Sequence, residues 1–447
     1  MNNDQQKHHI VVIGAGFTGL TAAYEISRQG IPVTVLEAND QIAGLAQSYN
    51  IENQQLDQFY HHWFNNDEYI IQLVKDLGLE DQLEYSPTMT GIYMNEQFHR
   101  LSTPLDVLRF KPLTFLNRIR LGLLVLRARR VKDWRSLESM TAEQWLLKLC
   151  GKQVYEVIWQ PLLRGKFGPF ASEISAVWFW NKLMLRGGSR DKLGRETLVY
   201  YRGSFAAFAE KIAHEIEENG GSVKTSAPAE KLIVQDGCVK GVQTPNGIID
   251  TQTVIATCAL PIIADLLEGS ADAEYLDELR KIEYLANICL VLELRQSLSD
   301  IYWLNVNDPE FPFIGVIEHT NFQPTETCGD RHIIYLSQYL PETDKLYQMD
   351  NEQVFEFALS HIKRMFPKFD RSWVIRSHVW KARYAQPVVV RHYSKLIPKR
   401  QSPVKGLYIE SMAQIYPEDR GTNYAVRQGQ QMGKMIAEKI LSDGLSQ

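Results

Sequence analysis

The clearest pattern of apolar and polar positions lies in the first forty residues of the chain. A short apolar run, Ile10–Ile13, is followed by a glycine-rich turn, and residues 20–29 then carry apolar side chains at helical spacing. A second apolar run, residues 31–36, ends at the acidic Glu37. Short continuous apolar runs favour buried parallel strands, so the segment predicts a strand–turn–helix–strand unit.

Further strands and helices are predicted at wide spacing along the rest of the chain. Residues 91–101 alternate as a hairpin with its turn at Asn95-Glu96, and a helix is predicted over 351–365. Residues 104–185 have a mostly helical periodicity and are followed by a predicted loop at 187–195. A buried strand is predicted at 253–257, and a strand, a loop and a long helix are predicted over 406–440. This order predicts one discontinuous α/β domain, with the intervening segments forming a second domain. Ligands of open α/β sheets bind at the carboxyl ends of the strands, so the turns there are the expected binding site.

Three glycines in the first turn indicate what that ligand is. Gly14, Gly16 and Gly19 have the G-x-G-x-x-G spacing between the predicted strand and the predicted helix. The first glycine permits a tight turn, the second lets a pyrophosphate approach the backbone, and the third allows close helix–strand packing. Glu37, at the end of the second strand, is suited to accept a hydrogen bond from a ribose hydroxyl. The complete unit therefore predicts dinucleotide binding.

Composition narrows the class of protein further. The 447 residues are 45% hydrophobic and 23% charged, which is ordinary for a globular protein with a large core. A net charge of −5 argues against nucleic-acid binding. The five cysteines are scattered without a C-x-x-C pair, so we expect neither a metal site nor a disulfide framework. Residues 1–9 are polar and no apolar run reaches about 18 residues, so we expect no signal peptide, no spanning helix and a cytoplasmic protein.

Further motifs carry a family resemblance. The segment QIAGLAQS contains Gly44, and an RGS at 202–204 is followed by a predicted helix and by a glycine pair at 220–221. The sequences VIATCALP and GLYIE then occupy the later strand ends. Together with the opening fingerprint, these motifs resemble the flavoprotein superfamily of monoamine oxidase, protoporphyrinogen oxidase and phytoene desaturase. UDP-galactopyranose mutase is a more distant relative of that superfamily.

The resemblance covers nearly the whole chain and implies a fold and a cofactor. It implies FAD and an α/β fold in which a Rossmann-type FAD-binding domain is built from discontinuous segments. An α+β substrate-binding domain with a helical lobe would complete the protein. The implied FAD-binding segments are 1–85, 200–265 and 380–447, and the implied substrate-binding segments are 86–199 and 266–379, with the lobe at 104–185.

The resemblance also assigns candidate FAD-binding residues and has two departures. Ala43 and Leu45 stand where the superfamily usually has Gly and Arg, and Ser411-Met412 replaces the usual Gly-Asp or Gly-Glu. The acidic residues near the second departure are Glu410, Glu418 and Asp419, and the sequence leaves open which of them contacts the ribityl chain. The candidate FAD-binding residues are Gly14, Gly16, Phe17, Thr18, Gly19, Glu37, Gly44, Ala229, Thr257 and Thr422.

The candidate catalytic residues are histidines. Residues 57–67 read DQFYHHWFNND and resemble the H-x-F-H-T segment beside the flavin of the mutase, with His62 and Phe64 matching. Histidine near a flavin can hydrogen-bond a ring heteroatom or move a proton, because its pKa lies near neutrality. His61 and His319 are the other catalytic candidates. The alternative is that these histidines only bond backbone groups.

Two further segments supply candidate substrate contacts. Arg164 and Lys166 lie in PLLRGKFG and could hold an anionic group of a substrate, or could form an exposed basic turn. Trp303 lies in an aromatic-rich segment, 301–322, and could line an apolar pocket or belong to the core.

A basic segment suggests a partner. Residues 109–135 hold nine Lys or Arg and one Asp, with apolar residues between them. A basic amphipathic helix is typical of peripheral membrane contact, and the alternative is a solvated lobe that covers the active site.

The first functional interpretation is an FAD-dependent oxidoreductase that takes a hydride from a C–H bond of an apolar or prenyl-like small molecule. The second is a redox-neutral enzyme similar to UDP-galactopyranose mutase, acting on a nucleotide sugar with reduced flavin. The third is a flavin-binding protein without catalysis, which the two departures from the superfamily pattern would allow.

Overall fold

The computed structural model describes residues 9–188 and 196–445. The predicted loop at 187–195 therefore lies almost wholly outside the described residues, as does nearly all of the polar stretch at 1–9. The strands are β1 (Ile10–Ile13), β2 (Val33–Leu36), β3 (Ser48–Ile51), β4 (Gln54–Asp57), β5 (Trp63–Phe64), β6 (Leu83–Thr88), β7 (Thr90–Met94), β8 (Gln97–Arg100), β9 (Glu196–Tyr201), β10 (Ser222–Lys224), β11 (Lys231–Gln235), β12 (Cys238–Thr244), β13 (Gly247–Asp250), β14 (Thr253–Ala256), β15 (Tyr284–Leu294), β16 (Trp303–Val306), β17 (Gly315–Glu318), β18 (His332–Leu340), β19 (Val374–Pro387) and β20 (Leu407–Ile409).

Helices surround and connect these strands. They are α1 (Phe17–Ser27), α2 (Glu68–Asp76), α3 (Pro104–Arg109), α4 (Phe115–Gly122), α5 (Leu124–Ala128), α6 (Ala142–Cys150), α7 (Lys152–Val154), α8 (Gln160–Phe167), α9 (Ala176–Gly188), α10 (Phe205–Glu218), α11 (Leu260–Leu266), α12 (Ala273–Arg280), α13 (Lys345–Gln348), α14 (Asn351–Met365) and α15 (Thr422–Leu445). Helices α3 to α9 form the helical lobe.

A parallel sheet forms the nucleotide-binding layer, with strand order β10-β2-β1-β14-β20. Every neighbouring pair in this order is parallel, so all the carboxyl ends meet at one edge. The strand Ile10–Ile13 has the predicted bounds. The predicted second strand starts two residues late, at Val33, because Pro32 has no N–H for the ladder. The predicted first helix starts early, at Phe17, because Gly16 already serves as its N-cap.

The long C-terminal helix α15 packs closely against α1 through two glycines. A Cβ at Gly429 would lie 2.4 Å from the carbonyl oxygen of Thr18, and a Cβ at Gly433 would lie 2.5 Å from that of Ala22. Only glycine permits this approach of two helix backbones. The contact holds the beginning of the chain and its end together at the site.

The second sheet is mixed and has seven strands, in the order β19-β15-β18-β17-β16-β7-β8. Strand β15 lies between β19 and β18 and is buried along almost its whole length, and Val354 and Ala358 of α14 belong to the same apolar cluster as its residues. The predicted hairpin at 91–101 is β7 and β8, which turn at Asn95 and Glu96, both with positive φ. The fold is therefore the predicted mixed α/β type.

Candidate functional site

The first turn of the nucleotide-binding sheet is built around close backbone contacts. Gly14 has φ +103°, and a Cβ at Gly19 would lie only 1.9 Å from its carbonyl oxygen. The hydroxyl of Thr257, at the end of β14, donates to the carbonyl oxygens of Ile13 (2.9 Å) and Gly14 (3.2 Å). Thr257, a candidate FAD-binding residue, therefore holds the turn in place through its side chain.

Gly16 stands in a different environment within the same turn. A Cβ at Gly16 would meet no described protein atom within 4 Å, and a Cβ at Gly44 would lie 3.3 Å from the Cα of Gly16. Gly16 is also the N-cap of α1, and no side chain of the described residues caps this helix. The first N–H groups of a helix are unsatisfied without a cap or a ligand, and they attract anions. This cradle, at the candidate residues Phe17 and Thr18, fits a pyrophosphate.

The acid at the end of β2 has the geometry expected for a ribose contact. Glu37 is buried, and its carboxylate accepts from the backbone N–H of Ala15 (2.9 Å) and of Asn39 (3.0 Å). Each carboxylate oxygen keeps a further acceptor position. The N–H of Ala227 donates to the Glu37 carbonyl at 2.8 Å, and this contact brings the segment with half-buried Ala229 beside the same strand end.

The two departures from the superfamily pattern have local structural consequences. Ala43 adopts φ +78°, the left-handed conformation that glycine tolerates best. Ser411 caps a short 3₁₀ turn that Gln414 completes. The three nearby acids all have cationic partners: Glu410 pairs with Arg400, Glu418 with Arg427, and Asp419 with Lys182.

The candidate histidines His61 and His62 are neighbours in the chain but contact different aromatic rings. Nδ1 of His62 lies 2.9 Å from the hydroxyl of Tyr302, and its ring meets Phe64 and Trp303 edge-on, at 5.4 and 5.6 Å between centroids. The adjacent His61 lies against Phe205, with 5.4 Å between ring centroids. Burial, helped by the positive charge of Arg420, lowers the pKa of His61 to about 4, so this imidazole is neutral at pH 7.

His319 lies behind an aromatic layer. It is buried between Tyr200, Phe322 and Tyr335, and Tyr335 separates it from Tyr60 on the other side. Burial lowers the pKa of His319 to about 4. His61, His62 and His319 therefore pack against different aromatic side chains.

Trp303 belongs to a group of aromatic side chains on the inner face of the second sheet. The ring of Tyr60 meets Trp303 edge-on at 5.0 Å between centroids, and the indole N–H of Trp303 donates to Oδ1 of Asn305. Burial raises the pKa of Tyr60 well above its usual value, although the residue keeps some accessible surface. Tyr60 and Trp303 are both half-buried, so each keeps part of its ring surface accessible.

The candidate cations Arg164 and Lys166 separate on helix α8. Residues two apart on a helix do not face each other, and Arg164 is exposed. The ammonium group of Lys166 lies over the rings of Tyr339 and Trp178, at 4.9 and 5.2 Å from their centroids. Lys166 thus belongs to the interior of the site and Arg164 to its outside.

Two functional candidates beside Lys166, namely Lys182 and Arg420, were not found from the sequence, which named the neighbouring Asp419 only as a possible ribityl contact. Lys182 lies 2.5 Å from Oδ2 of Asp419, and Arg420 donates to the hydroxyl of Tyr339 at 2.7 Å. Burial alone would raise the pKa of Asp419, but the charges of Lys182, Lys166 and Arg420 hold it well below its usual value. We call Lys166, Lys182, Asp419 and Arg420 the charged cluster.

The charged cluster is continuous with the aromatic group. Tyr339 contacts both Lys166 and Arg420, and the positive charge of Arg420 acts on Tyr60 and His61. Asp419 and Arg420 lie three and two residues before α15, whose first residue, Thr422, accepts a hydrogen bond from the indole of Trp63 at 2.7 Å. Asp419 and Arg420 follow the last strand of the nucleotide-binding sheet, where a ligand is expected. This position in the sequence could have identified them as candidates.

Other kinds of site receive no support from the described residues. Within 9–188 and 196–445, no group of three His, Cys, Asp or Glu is arranged to hold a metal ion. None of the helices described there is long and apolar enough to cross a membrane. The five cysteines are free thiols.

The sheet, the glycine cradle and the buried acid define a flavoprotein of the FAD-binding, Rossmann-type class. The chain belongs to the family of flavin containing amine oxidoreductases, whose family model matches residues 17–429. Membership of this family confirms the flavoprotein oxidoreductase family and the FAD cofactor that the resemblance predicted.

Individual relatives agree with this family. The chain is 23% identical over 314 residues to a coproporphyrinogen III oxidase of Bacillus subtilis (strain 168), in a match that covers 63% of the chain and 64% of the relative. The chain thus spans slightly less than two thirds of this relative's length.

Solved structures share the fold over almost the whole chain. A reduced UDP-galactopyranose mutase has a TM-score of 0.75 at 15% identity, covering 96% of this chain and 95% of its own. Cyclohexylamine oxidase from Brevibacterium oxydans IH-35A has a TM-score of 0.72 at 15% identity, covering 97% and 99%. At this identity the likeness concerns the fold alone.

Proposed function

We propose that the protein oxidises a C–H bond of an apolar small molecule that carries an acidic group. The observation that carries this proposal is the continuity between the aromatic group and the charged cluster. Tyr339 and Arg420 connect the two groups, so a substrate that contacts the aromatic group would have its acidic group within reach of the charged cluster. When bound, FAD supplies the hydride acceptor, and the protein's own residues bind and orient the substrate.

The aromatic side chains suit the body of such a substrate. Tyr60, Phe64 and Trp303 offer flat apolar faces, and partial accessibility leaves those faces available for contact. Burial of apolar surface contributes about 25 cal/mol per Å² to binding, so a large apolar body would be favoured.

The charged cluster suits the acidic group. Three cations act on the one carboxylate of Asp419. Arg420 donates from Nε to Gln386 and from Nη2 to Tyr339, so the N–H groups of Nη1 are its donors for a carboxylate or phosphate. His62 adds a titratable group at the aromatic end, within 2.9 Å of the Tyr302 hydroxyl. In this proposal His62 accepts or relays the proton that leaves the substrate as its C–H bond is oxidised.

The relative from Bacillus subtilis supplies the first compound to test. It is named a coproporphyrinogen III oxidase. Coproporphyrinogen is an apolar macrocycle with carboxylate side chains, so it combines the two features that the proposal requires. Anaerobic mixing with the holoenzyme should bleach the visible absorbance of FAD, and addition of oxygen should restore it.

Comparing the acidic substrate with its neutral methyl ester shows whether a variant of the charged cluster loses binding of the acidic group or is damaged as a whole. We expect Arg420→Met to weaken binding of the acid about 10- to 100-fold, because a hydrogen bond to a charged group contributes about 1.5–3 kcal/mol. Binding of the neutral ester should be nearly unchanged. The control Arg280→Met removes an exposed arginine that pairs with Asp265 and Glu268, and it should alter neither. Equal losses for acid and ester would contradict the proposal.

A second function is favoured by the segment around His62. This segment resembles the mutase, and the solved mutase structure has nearly the same fold. Such an enzyme would act on a nucleotide sugar with reduced flavin and consume no oxygen. Turnover of a sugar nucleotide by the anaerobically reduced protein, without net oxidation, would favour it, whereas flavin bleaching by an apolar acid favours the oxidase.

A further inference from the structure

Exposed apolar side chains are concentrated on one part of the helical lobe. Phe115 and Leu116 are 65% and 63% exposed, and Leu126 is 55% exposed. Contiguous apolar surface of this kind is uncommon on a protein that works alone in water, and it marks an interaction site. We call the following residues of α3, α4 and α5 the apolar face: Leu105, Leu108, Phe115, Leu116, Ile119, Leu123 and Leu126.

Helical spacing turns these side chains in one direction. Phe115, Ile119, Leu123 and Leu126 follow each other by three or four residues, and Leu123 joins α4 to α5 with helical dihedral angles. The opposite side of the same helices reaches the core through Leu124 and Ala128. The segment is therefore amphipathic, with one apolar side packed inward and another turned to solvent.

Positive charge surrounds the apolar face. Residues 104–135 contain nine Lys or Arg and two Asp, whereas the whole chain has a net charge of −5. Most of these cations are exposed, and two of them, Arg118 and Arg127, use part of their donors on backbone carbonyls of the lobe. The exposed ones are Arg109, Lys111, Arg120, Arg129, Arg130, Lys132 and Arg135.

We propose that the apolar face docks on an anionic lipid bilayer and lies at its surface. Apolar side chains enter the boundary between headgroups and acyl chains, while the surrounding cations attract the anionic headgroups. Docking is peripheral, because none of the described helices is long and apolar enough to cross a membrane. A second copy of the chain fits less well, because a symmetric dimer through this face would bring two strongly positive surfaces together.

Co-sedimentation of the holoenzyme with lipid vesicles tests the proposal. We expect binding to vesicles of equal parts phosphatidylcholine and phosphatidylglycerol, weak binding to pure phosphatidylcholine, and release at high salt. Charges at an anionic surface are screened over about 10 Å at 0.1 M salt and about 3 Å at 1 M.

Two variants separate the apolar and the charged contributions. Phe115→Ser with Leu116→Ser should weaken binding at least tenfold, because both side chains lose the apolar surface that they would bury. Lys111→Glu with Arg130→Glu should weaken it about 25-fold or more, since each cation near the surface contributes about fivefold. The controls Ile248→Ser and Lys240→Glu change one exposed apolar and one exposed charged residue outside the lobe, and they should bind as the wild type does.

Three outcomes would overturn the proposal. The first is an absence of binding to anionic vesicles at any salt. The second is binding that the lobe variants and the control variants change equally. The third is a concentration-dependent dimer in light scattering that Phe115→Ser with Leu116→Ser abolishes, because the apolar face would then be a contact between copies of the chain. Unchanged FAD content and melting temperature of each variant establish that it is folded.

Discussion

Replacing Gly16 by alanine should weaken FAD binding, whereas replacing Gly19 by alanine should destabilise the fold. Gly16→Ala adds a methyl group that no other described residue, its chain neighbours aside, approaches within 4 Å, whereas Gly19→Ala adds it 1.9 Å from the Gly14 carbonyl oxygen. The first glycine is therefore needed for the ligand and the second for the fold. The pair tests both the position of the pyrophosphate and the packing of α1.

The expected magnitudes follow from these distances. Gly16 has φ −74° and ψ 176°, which alanine adopts freely, so its replacement should cost the apoprotein no more than about 1 kcal/mol, the value of an N-cap preference. FAD should bind about 10- to 100-fold more weakly, because a displaced phosphate loses at least one charge-assisted hydrogen bond of about 1.5–3 kcal/mol. In Gly19→Ala the backbone must move by about 1 Å or more, and overpacking of this kind costs about 3 kcal/mol.

The assay uses apoprotein from which FAD has been removed. Urea unfolding gives the stability of each variant, and quenching of FAD fluorescence during titration gives its affinity. If Gly16→Ala held FAD as tightly as the wild type, the pyrophosphate would not lie at this cradle. If Gly19→Ala unfolded at the wild-type urea concentration, the described contact between α1 and the turn would be wrong.

Three further changes are expected to have distinct effects. His62→Ala should slow anaerobic flavin reduction by substrate about 10²-fold or more while FAD content stays the same, and an unchanged single-turnover rate would exclude a role in proton transfer. Ala43→Gly should raise the stability by about 1 kcal/mol and the Tm by about 1 °C, because it relieves the left-handed strain at φ +78°; a lower Tm would contradict this. The third change concerns Asp57. Burial raises the pKa of its carboxyl to about 7, although hydrogen bonds from Tyr200 and the Phe205 N–H oppose the shift. The folded protein therefore holds a proton at Asp57 that the unfolded chain releases near pH 4. Its contribution to stability is present below about pH 4 and is lost as the pH rises to about 7, and Asp57→Asn should reduce this loss by a few kcal/mol in urea unfolding measured from pH 4 to 8.

The sequence by itself determined the elements whose signals are local. The strand Ile10–Ile13, the helix Asn351–Met365 and the hairpin turn at Asn95 and Glu96 were all predicted where the structure has them. Apolar runs, helical spacing and turn residues act over a few positions, so they can be recognised without the fold. Dinucleotide binding was also predicted in this way, because its fingerprint lies within one strand–turn–helix–strand unit. The choice of FAD among dinucleotides came from the family resemblance, which extends over nearly the whole chain.

Only the tertiary structure decided how the interior of the site is composed. The residues around Asp419 come from three distant parts of the chain: Lys166 and Lys182, then Tyr339, then Arg420. No spacing in the sequence relates them, because they meet only when the helical lobe packs against the second sheet. Arg164 and Lys166 are neighbours in sequence, but helical geometry turns them to different sides of α8. The apolar face shows the same limit, because periodicity identifies an amphipathic helix, whereas packing decides which of its sides is left in solvent.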